Sequence, residues 1–441
     1  MLMRRCFCVL KKSNRTISYG MRDDFLEKPG KTMKWPKLIR FIDYFILFCL
    51  CVLVIFLPIA HTESIRAFSL GIPAGLWIIK MILTRRLLFS RTPLDLPILL
   101  FSVIAGLSVI TAVNWKYSLG EFIGEWLIGI CLFYLVVNNI RPEQVKYILG
   151  ALLLGNILMV GYGIFEFFRD GGQVLNYATR AGSLHSGVGT FSTYLVTVIP
   201  YILVALFYEE KMSNRLAILA LLSLNCLALV LTYSRGSWIA VGILLFVMGC
   251  IFLPKRIFIP SFAVLVVGIS FLFSQEISSY YQRFIPSPNH MPDSYQSRWA
   301  LTKFSAEKIL ANPLQMNGFG HGTFVKKFRH EEFWLGDKRA KMWHAHNTFL
   351  NVAIQTGLQG LLLFCFLLYR MLKYCREREK SVGSPVIRYF SLGTFLMIIT
   401  FFVRNLSDDF FIDDSALLFW FLSGIVFAVG NGELDKKHGV G

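Results

Sequence analysis

The sequence contains little charge and little polar surface for its length. Of its 441 residues only 16% are charged, 55% are hydrophobic, and the mean hydropathy is +0.56. A globular chain of this composition would have too little polar surface to cover its core. A soluble fold is therefore excluded, and the sequence predicts an integral membrane protein.

Three further absences narrow the range of possible functions. All nine cysteines fall in predicted spans or cytoplasmic segments, so we expect no disulfide on the outer side. The chain has no Gly-x-x-x-x-Gly-Lys-Ser/Thr nucleotide loop. The middles of the spans lack ionisable side chains, which an ion-coupled transporter needs near the bilayer midplane. These absences favour chemistry at one membrane surface over transport.

Apolar runs of about 17 to 25 residues, long enough to cross the bilayer as helices, occur twelve times. The predicted spans lie near 39–59, 67–83, 94–113, 120–138, 145–168, 188–208, 214–232, 236–253, 257–273, 347–369, 387–403 and 415–430. The tails and short loops on the side of the termini contain 28 Lys and Arg, against 6 in the short loops opposite. The positive-inside rule therefore predicts cytoplasmic termini.

The spans and the charge bias predict five segments. They are a basic cytoplasmic tail at 1–38, helices one to nine at 39–274, a periplasmic loop at 275–345, helices ten to twelve at 346–431 and a cytoplasmic tail at 432–441. The net charge of +18 reflects this topology and contact with the membrane surface, rather than nucleic-acid binding.

One long apolar run, from Leu216 to Leu253, is about twice the length of one crossing and must contain a turn. The segment 232–238, Thr-Tyr-Ser-Arg-Gly-Ser-Trp, is the predicted turn at the outer surface. An arginine in hydrocarbon costs about 2.5–3.5 kcal/mol, so Arg235 needs an anionic partner or the headgroup layer. Two interpretations stay open: Arg235 binds an anionic ligand, or its side chain extends to the lipid headgroups.

The periplasmic loop contains a second arginine in a potential anion site. Residues 297–311 have apolar side chains at helical spacing and end at Asn312–Pro313, which predicts a short helix with Arg298 in its first turn. A helix N-terminus with a guanidinium can bind an anion, although a solvent-facing arginine is the commoner alternative. Gly318 and Gly320 follow in a flexible turn whose backbone N–H groups could reach a phosphate.

His346 and Asn347 stand at the predicted start of span ten, with Gly357 and Gly360 on the same helical face as the histidine. The glycines would let another helix approach, and the helix N-terminus favours a neutral imidazole that can take a proton from a hydroxyl. The alternative is a histidine that only caps the helix. His344 and His346 also suggest a metal pair, but without Cys, Asp or Glu at ligand spacing we predict no metal site.

Two sets of acidic residues lie on the outer side. The first, in the last outer loop, is Asp408, Asp409, Asp413 and Asp414. We interpret it as a solvated acidic loop, with contact to a metal or an acceptor as the alternative. The second set, at the outer ends of spans, is Glu121, Glu125 and Glu166, to which the sequence assigns no role.

These motifs together resemble the O-antigen ligase and polymerase superfamily of polytopic glycan transferases. Its signature, a His followed by Asn, Ser or Gln, nine residues and Gly-x-x-Gly, is matched by His346, Asn347, Gly357 and Gly360. The twelve spans, the Thr-Tyr-Ser-Arg-Gly turn and the Ser-Arg-Trp of the large loop before span ten match as well. The resemblance implies an all-α polytopic membrane protein of GT-C-like type with about twelve transmembrane helices.

The resemblance also implies a reaction at the periplasmic face of the bacterial inner membrane. A glycan would pass from undecaprenyl diphosphate to an acceptor hydroxyl with inversion and without a metal or other cofactor. Arg235 and Arg298 would hold the diphosphate, and His346 would activate the acceptor. The supporting residues would be Asn347, Gly357, Gly360, Tyr233, Gly318 and Gly320.

From this resemblance we expect an O-antigen ligase, which joins lipid-linked O-antigen to the sugar core of lipid A. An O-antigen polymerase or a protein O-oligosaccharyltransferase shares the signature and stays an alternative. A lipid-glycan flippase, in which the arginines guide an anionic head group, is the alternative of a different class. The expected partners are the lipid-linked donor, the lipid A-core acceptor and membrane lipids, with no nucleic acid.

Overall fold

The computed structural model describes residues 36–174, 179–185, 187–272, 293–329, 334–335, 338–339, 344–380 and 384–437. These residues are almost entirely helical. One antiparallel pair of two-residue strands, β1 (Trp334–Leu335) and β2 (Lys338–Arg339), is the exception within the ranges given. The predicted basic tail lies outside the described residues up to position 35.

Fourteen helices form the described part of the chain, and twelve of them coincide with the predicted spans. In chain order they are α1 (Pro36–Phe56), α2 (Glu63–Thr84), α3 (Asp95–Ile110), α4 (Trp115–Asn139), α5 (Val145–Arg169), α6 (Val188–Tyr208), α7 (Met212–Leu231), α8 (Arg235–Phe252), α9 (Lys255–Leu272), α10 (Asp293–Ala311), α11 (Thr323–Lys327), α12 (Thr348–Lys380), α13 (Pro385–Arg404) and α14 (Asp413–Lys437). Ten are long and apolar enough to cross a membrane, and α3 is shorter at 16 residues. The prediction of an all-α polytopic membrane protein is confirmed.

Helix α13 lies at the centre of the bundle and packs against α6, α8, α12 and α14. Burial of apolar surface contributes little between helices in lipid, so close packing and hydrogen bonds between helices hold such a bundle together. The Tyr201 hydroxyl on α6 and the Thr394 hydroxyl on α13 lie 2.7 Å apart. Between α5 and α7, Asn156 and Asn225 exchange two hydrogen bonds of 2.9 Å.

The long apolar run forms a helical hairpin, as predicted. Helix α7 ends at Leu231 and α8 begins at Arg235. The turn between them bends sharply because Tyr233 adopts a φ of 51°. Ser234 and Ser237 place their hydroxyl oxygens 2.9 Å apart at the start of α8. The turn therefore presents Arg235 as the first residue of a helix, where the positive end of the helix dipole adds to its charge.

Helix α12 is not one straight helix, and the prediction of a continuous face through His346, Gly357 and Gly360 is wrong. Helix α12 begins at Thr348, and Gly357 has φ 74° and ψ 175°, which kinks it. This backbone region is essentially restricted to glycine. Gly360 serves the predicted close approach, since a side chain there would lie 3.3 Å from Ile104 of α3. Because of the kink, residues 348–356, which follow His346, run in a different direction from the rest of α12.

The described part of the predicted periplasmic loop packs onto α12. Leu301 of α10, Phe324 of α11, Phe328 just after it and Ile354 of α12 share one small buried cluster. Helix α10 ends at Ala311 as predicted, but it begins at Asp293, four residues earlier than expected. Arg298 therefore lies in the second turn of the helix, and the prediction that it occupies the first turn is wrong.

Candidate functional site

His346 is held by a carboxylate from the last outer loop. Its Nδ1 lies 3.0 Å from Asp408 Oδ1. An ionised carboxylate only accepts hydrogen bonds, so Nδ1 carries the hydrogen and Nε2 keeps a free lone pair. His346 has a φ of 49°, a left-handed conformation that is uncommon outside glycine, and its N–H donates to His344 Nδ1. The imidazole is thus fixed in the tautomer that can accept a proton.

Arginines surround the other oxygen of the same carboxylate. Asp408 Oδ2 lies 3.3 Å from an Arg298 nitrogen and 3.6 Å from an Arg404 nitrogen. The Arg404 side chain is only 4% exposed, whereas that of Arg298 is 45% exposed. The positive charge of the buried Arg404 therefore depends on Asp408 for compensation, whereas the half-exposed Arg298 can still reach a ligand.

Two more arginines complete the cluster. Burial, and then the positive charges of Arg298 and Arg235, lower the pKa of Arg180, which places these three guanidinium groups near one another. Arg180 donates to the backbone oxygens of Thr232 and Tyr233, at 2.9 and 3.3 Å, and so braces the turn before α8.

Gly236 brings the start of α8 against the end of α13. A side chain at this position would meet the Ser407 hydroxyl and would lie 3.5 Å from Arg404 Nη1. Arg235 is the residue before Gly236, and so the first turn of α8 lies beside the buried Arg404 that contacts Asp408. Below, the name arginine cluster denotes Arg180, Arg235, Arg298 and Arg404.

This environment keeps Asp408 ionised. Burial alone would raise the pKa of its carboxyl group, but the hydrogen bond to His346 and the charges of Arg404 and Arg298 hold that pKa well below its usual range. Asp408 is 8% exposed and Asp409 is 5% exposed. The interpretation of these two residues as a solvated acidic loop is therefore wrong.

Asp409 fixes the backbone around His346. Its carboxylate accepts hydrogen bonds from the Thr348 hydroxyl at 2.6 Å and from the Asn351 amide. It also lies 3.4 Å from His321 Nδ1, and burial opposes but does not outweigh the effect of this carboxylate, which raises the pKa of His321. Asn351 Oδ1 in turn accepts from the Ala345 N–H at 3.1 Å. Asp409 thus connects α12, the last loop and the periplasmic loop.

The other two aspartates of this acidic set begin α14 and take different positions. Asp414 forms an ion pair with Arg66 of α2, and Asp413 is exposed.

Three side chains have the donor types and spacing of a metal site. The donor atoms of His344, His346 and Asp408 all lie within 4.8 Å of one another. The sequence argument against a metal assumed that no carboxylate was near, and the fold supplies one. Burial, and then electrostatic interaction with His346 and His321, lower the pKa of His344 to about 4, so its imidazole is neutral. Two guanidinium groups on Asp408 would, however, repel a cation.

Most of the predicted supporting residues have a structural explanation. Asn347 Oδ1 accepts from the N–H groups of Phe349 and Leu350, at 2.9 and 3.2 Å, and caps α12. The Tyr233 hydroxyl donates to Val174 O at 2.6 Å. Gly318 and Gly320 have φ of 107° and 114°; Gly318 packs against Ala112 in the turn before α4, and Gly320 packs against Glu121 of α4. For these two glycines the contact with α4 accounts for the residue type, and a role at phosphate stays a prediction.

The comparisons with known proteins bear on the same region. The family model described as O-Antigen ligase matches residues 216–365, a stretch that contains Arg235, Arg298 and His346. Three relatives named "Putative polysaccharide ligase" are similar over a longer stretch. They are from Rickettsia typhi (22% identity, 67% of this chain and 70% of the relative), Rickettsia prowazekii (23%, 74% and 77%) and Rickettsia bellii (26%, 68% and 71%).

The resemblance to the O-antigen ligase family is thus confirmed over residues 216–365. Part of the site lies beyond the matched stretch. Arg180 precedes residue 216, and Arg404 and Asp408 follow residue 365. Sequence reasoning gave no role to Arg180 or Arg404. For Arg404 the available signal was its position at the end of a span, where an arginine costs free energy without an anionic partner.

The glutamates of the second acidic set take different positions. Glu121 contacts the glycine turn of the periplasmic loop, where a side chain on Gly320 would meet it. Glu125 lies in a π-helical turn, Phe122–Leu127, within α4. Glu166 lies 3.9 Å from Arg169 on the same helix. These positions give the three glutamates no chemical role.

Proposed function

We propose that this protein transfers a glycan from a polyprenyl diphosphate to an acceptor hydroxyl at the outer face of the inner membrane. The observation that carries the proposal is Asp408, which connects the His346 imidazole to the arginine cluster through its two oxygens. A prenyl diphosphate is an anion tethered at a membrane surface, and guanidinium groups match its oxygens by bidentate hydrogen bonds.

The geometry supports a single displacement at the anomeric carbon. His346 Nε2 takes the proton of the acceptor hydroxyl, whose oxygen forms the new bond to the anomeric carbon of the donor sugar. The bond from that carbon to the diphosphate oxygen breaks, and the diphosphate leaves with the electron pair. Attack from the face opposite the leaving group inverts the anomeric configuration.

The arginine cluster would stabilise the charge that develops on the leaving diphosphate. Arg235 and Arg298 are the proposed diphosphate ligands. Arg180 braces the turn that carries Arg235, and Arg404 is buried behind Asp408. The imidazolium that forms on His346 would be stabilised by the ionised Asp408 beside its Nδ1. No nucleotide is needed, because departure of the diphosphate drives the transfer.

Within this family we propose the ligase, with the sugar core of lipid A as the acceptor. The names of the Rickettsia relatives and the description of the family model support this choice over the polymerase. A deletion strain examined on a lipopolysaccharide gel tests it. Unattached full-length polymer supports the ligase, a core with a single repeat unit indicates the polymerase, and unchanged lipopolysaccharide indicates another acceptor.

Purified protein in detergent, supplied with lipid-linked donor and acceptor, tests the reaction itself. We expect glycan transfer without a membrane gradient and in the presence of a chelator, and we expect His346→Ala to abolish turnover while donor binding persists. The control is His61→Asn, which changes an exposed histidine of an outer loop. Unchanged transfer by His346→Ala would remove that residue from the base role. Loss of activity with chelator, restored by a divalent ion, would reassign His344, His346 and Asp408 as ligands.

A further inference from the structure

The glycine turn of the predicted periplasmic loop carries a histidine, His321, that takes no part in the chemistry described above. It stands between Gly320 and Gly322. The turn is attached to α4, because the Gly322 N–H donates to the Tyr117 hydroxyl at 2.8 Å and Phe319 packs against aromatic rings of α4. The backbone on both sides of His321 is therefore held in place.

A carboxylate fixes the ring of His321. Its Nδ1 is buried and lies 3.4 Å from Asp409 Oδ2. A lone pair facing an ionised carboxylate would be repelled, so Nδ1 carries the hydrogen. Nε2, on the opposite edge of the ring, forms no hydrogen bond with a residue of the described ranges. His321 thus repeats the arrangement of His346, whose Nδ1 faces Asp408 and whose Nε2 is free for a ligand.

Three histidine rings form a row at the start of α12. The ring centroids of His321 and His344 lie 4.4 Å apart, and those of His344 and His346 lie 4.0 Å apart. The side chain of His344, in the middle of the row, is 13% exposed, against 27% for His321 and 24% for His346. The two outer imidazoles are therefore the ones that a ligand can reach most easily.

The charges around His321 differ from those of the arginine cluster. The carboxylates of Asp409 and Asp408 act on it electrostatically, and Glu121 of α4 contacts the turn beside it. Carboxylates repel a diphosphate, whereas they accept hydrogen bonds from sugar hydroxyls. The surroundings of His321 therefore suit the hydroxyl-bearing acceptor, and the arginine cluster suits the anionic donor.

We propose, on the basis of the proposed function, that His321 binds the acceptor sugar. Its Nε2 forms a hydrogen bond with a second hydroxyl of the sugar whose attacking hydroxyl gives its proton to His346. A hydroxyl both donates and accepts, so it pairs with Nε2 in either charge state of the imidazole. A site that hydrogen-bonds a substrate hydroxyl discriminates against acceptors that lack it, which makes His321 a residue of acceptor specificity.

Two substitutions separate the two edges of the ring. His321→Asn keeps an amide at the position of Nδ1, where it faces Asp409, but has no group at the position of Nε2. His321→Gln is longer and places its amide near the position of Nε2. The matched control is His61→Asn, which makes the same change at an exposed histidine of another loop.

The measurement is the affinity of the purified full chain in detergent for lipid A-core, without donor. We expect His321→Asn to weaken binding about 5- to 100-fold, the range for losing one hydrogen bond to a neutral or a charged group. His321→Gln should weaken it less, and His61→Asn should not change it.

Acceptors in which one hydroxyl of the terminal sugar is replaced by hydrogen identify the contact. The wild-type protein should bind one of these deoxy acceptors as weakly as His321→Asn binds the intact acceptor. With that deoxy acceptor, His321→Asn should cause no further loss, because the two changes remove the same hydrogen bond.

Three results would overturn the proposal: wild-type affinity in His321→Asn, an equal loss in His61→Asn, or a His321→Asn loss that persists with every deoxy acceptor. The last result would show that the substitution acts on the fold. If His321→Asn fails to fold, His321→Gln is compared with the wild type over the same acceptors, and an equal ratio for all of them would contradict the contact. Because binding is measured without donor, bound acceptor without glycan transfer would count against the proposed function alone.

Discussion

Asp408→Asn is the change that separates the proposed chemistry from donor binding. The substitution keeps the size of the side chain but removes the charge that lies 3.0 Å from His346 Nδ1 and 3.3 Å from the Arg298 guanidinium. The amide can present its N–H₂ group to the imidazole, which would select the wrong tautomer and place the hydrogen on Nε2. His346 would then have no lone pair directed at the acceptor hydroxyl.

The size of the effect follows from what the carboxylate does. General base catalysis contributes about 10²–10⁴-fold to a rate, which sets the range for losing a correctly oriented imidazole. An Asp→Asn change behind a catalytic histidine in the serine proteases lowers turnover by about 10⁴-fold. We therefore expect turnover to fall by about 10²–10⁴-fold, or about 3–5.5 kcal/mol. Donor affinity should be unchanged or higher, because Arg298 loses a competing anion.

The same substitution should also lower stability. Arg404 is almost completely buried, and removing one partner of a buried ion pair costs about 3–5 kcal/mol. Arg298 is nearly half exposed and adds less, because solvent screens its charge. The free energy of unfolding is therefore measured beside activity, and donor binding reports the folded fraction of each sample.

The assay is single-turnover transfer at saturating donor, for Asp408→Asn, His346→Ala and the double variant. Residues that act as a unit are not additive, so the double variant should be no slower than His346→Ala alone. Asp413→Asn, at the exposed first residue of α14, is the matched control. Wild-type turnover in Asp408→Asn, or additive losses in the double variant, would refute the assignment of Asp408 to the orientation of His346.

Three further predictions test other parts of the structure. Arg298→Lys should raise the donor KM and lower turnover, because the bidentate contact with the diphosphate is lost. Arg169→Lys, outside the cluster, is the control and should change neither value. Full activity of Arg298→Lys would contradict the proposed diphosphate geometry. Gly357→Ala should lower the free energy of unfolding by about 1–3 kcal/mol, measured against Gly161→Ala, which has no neighbour within 4 Å; equal stability would disprove strain at the kink. The pKa of His344 is about 4 in the folded protein and about 6.5 in the unfolded chain, so stability is lost as the pH falls from 6.5 towards 4. His344→Gln should make the thermal unfolding temperature fall less over this pH range. An unchanged fall would contradict the role of His344.

The positions of the membrane helices were readable from the sequence. Hydropathy and length locate spans because lipid requires a helix of about 20 apolar residues, a constraint that acts locally along the chain. The turn before Arg235 was predicted on the same ground, since Leu216 to Leu253 is too long for one crossing. The signature around His346 was local too, and it indicated the family before any contact was known.

The contacts of the site were decided by the tertiary structure. Asp408 lies 62 residues from His346 and reaches it only because α13 returns the chain to the outer end of α12. A carboxylate followed by another carboxylate looks solvated in sequence, and it becomes a buried, ionised group only when Arg298 and Arg404 surround it. Gly357 is recognised in the sequence as part of the signature. The reason for a glycine there, a backbone angle of φ 74°, is seen only in the structure. Local composition fixed which segments lie in the membrane, whereas charge pairing between distant segments fixed where the chemistry can occur.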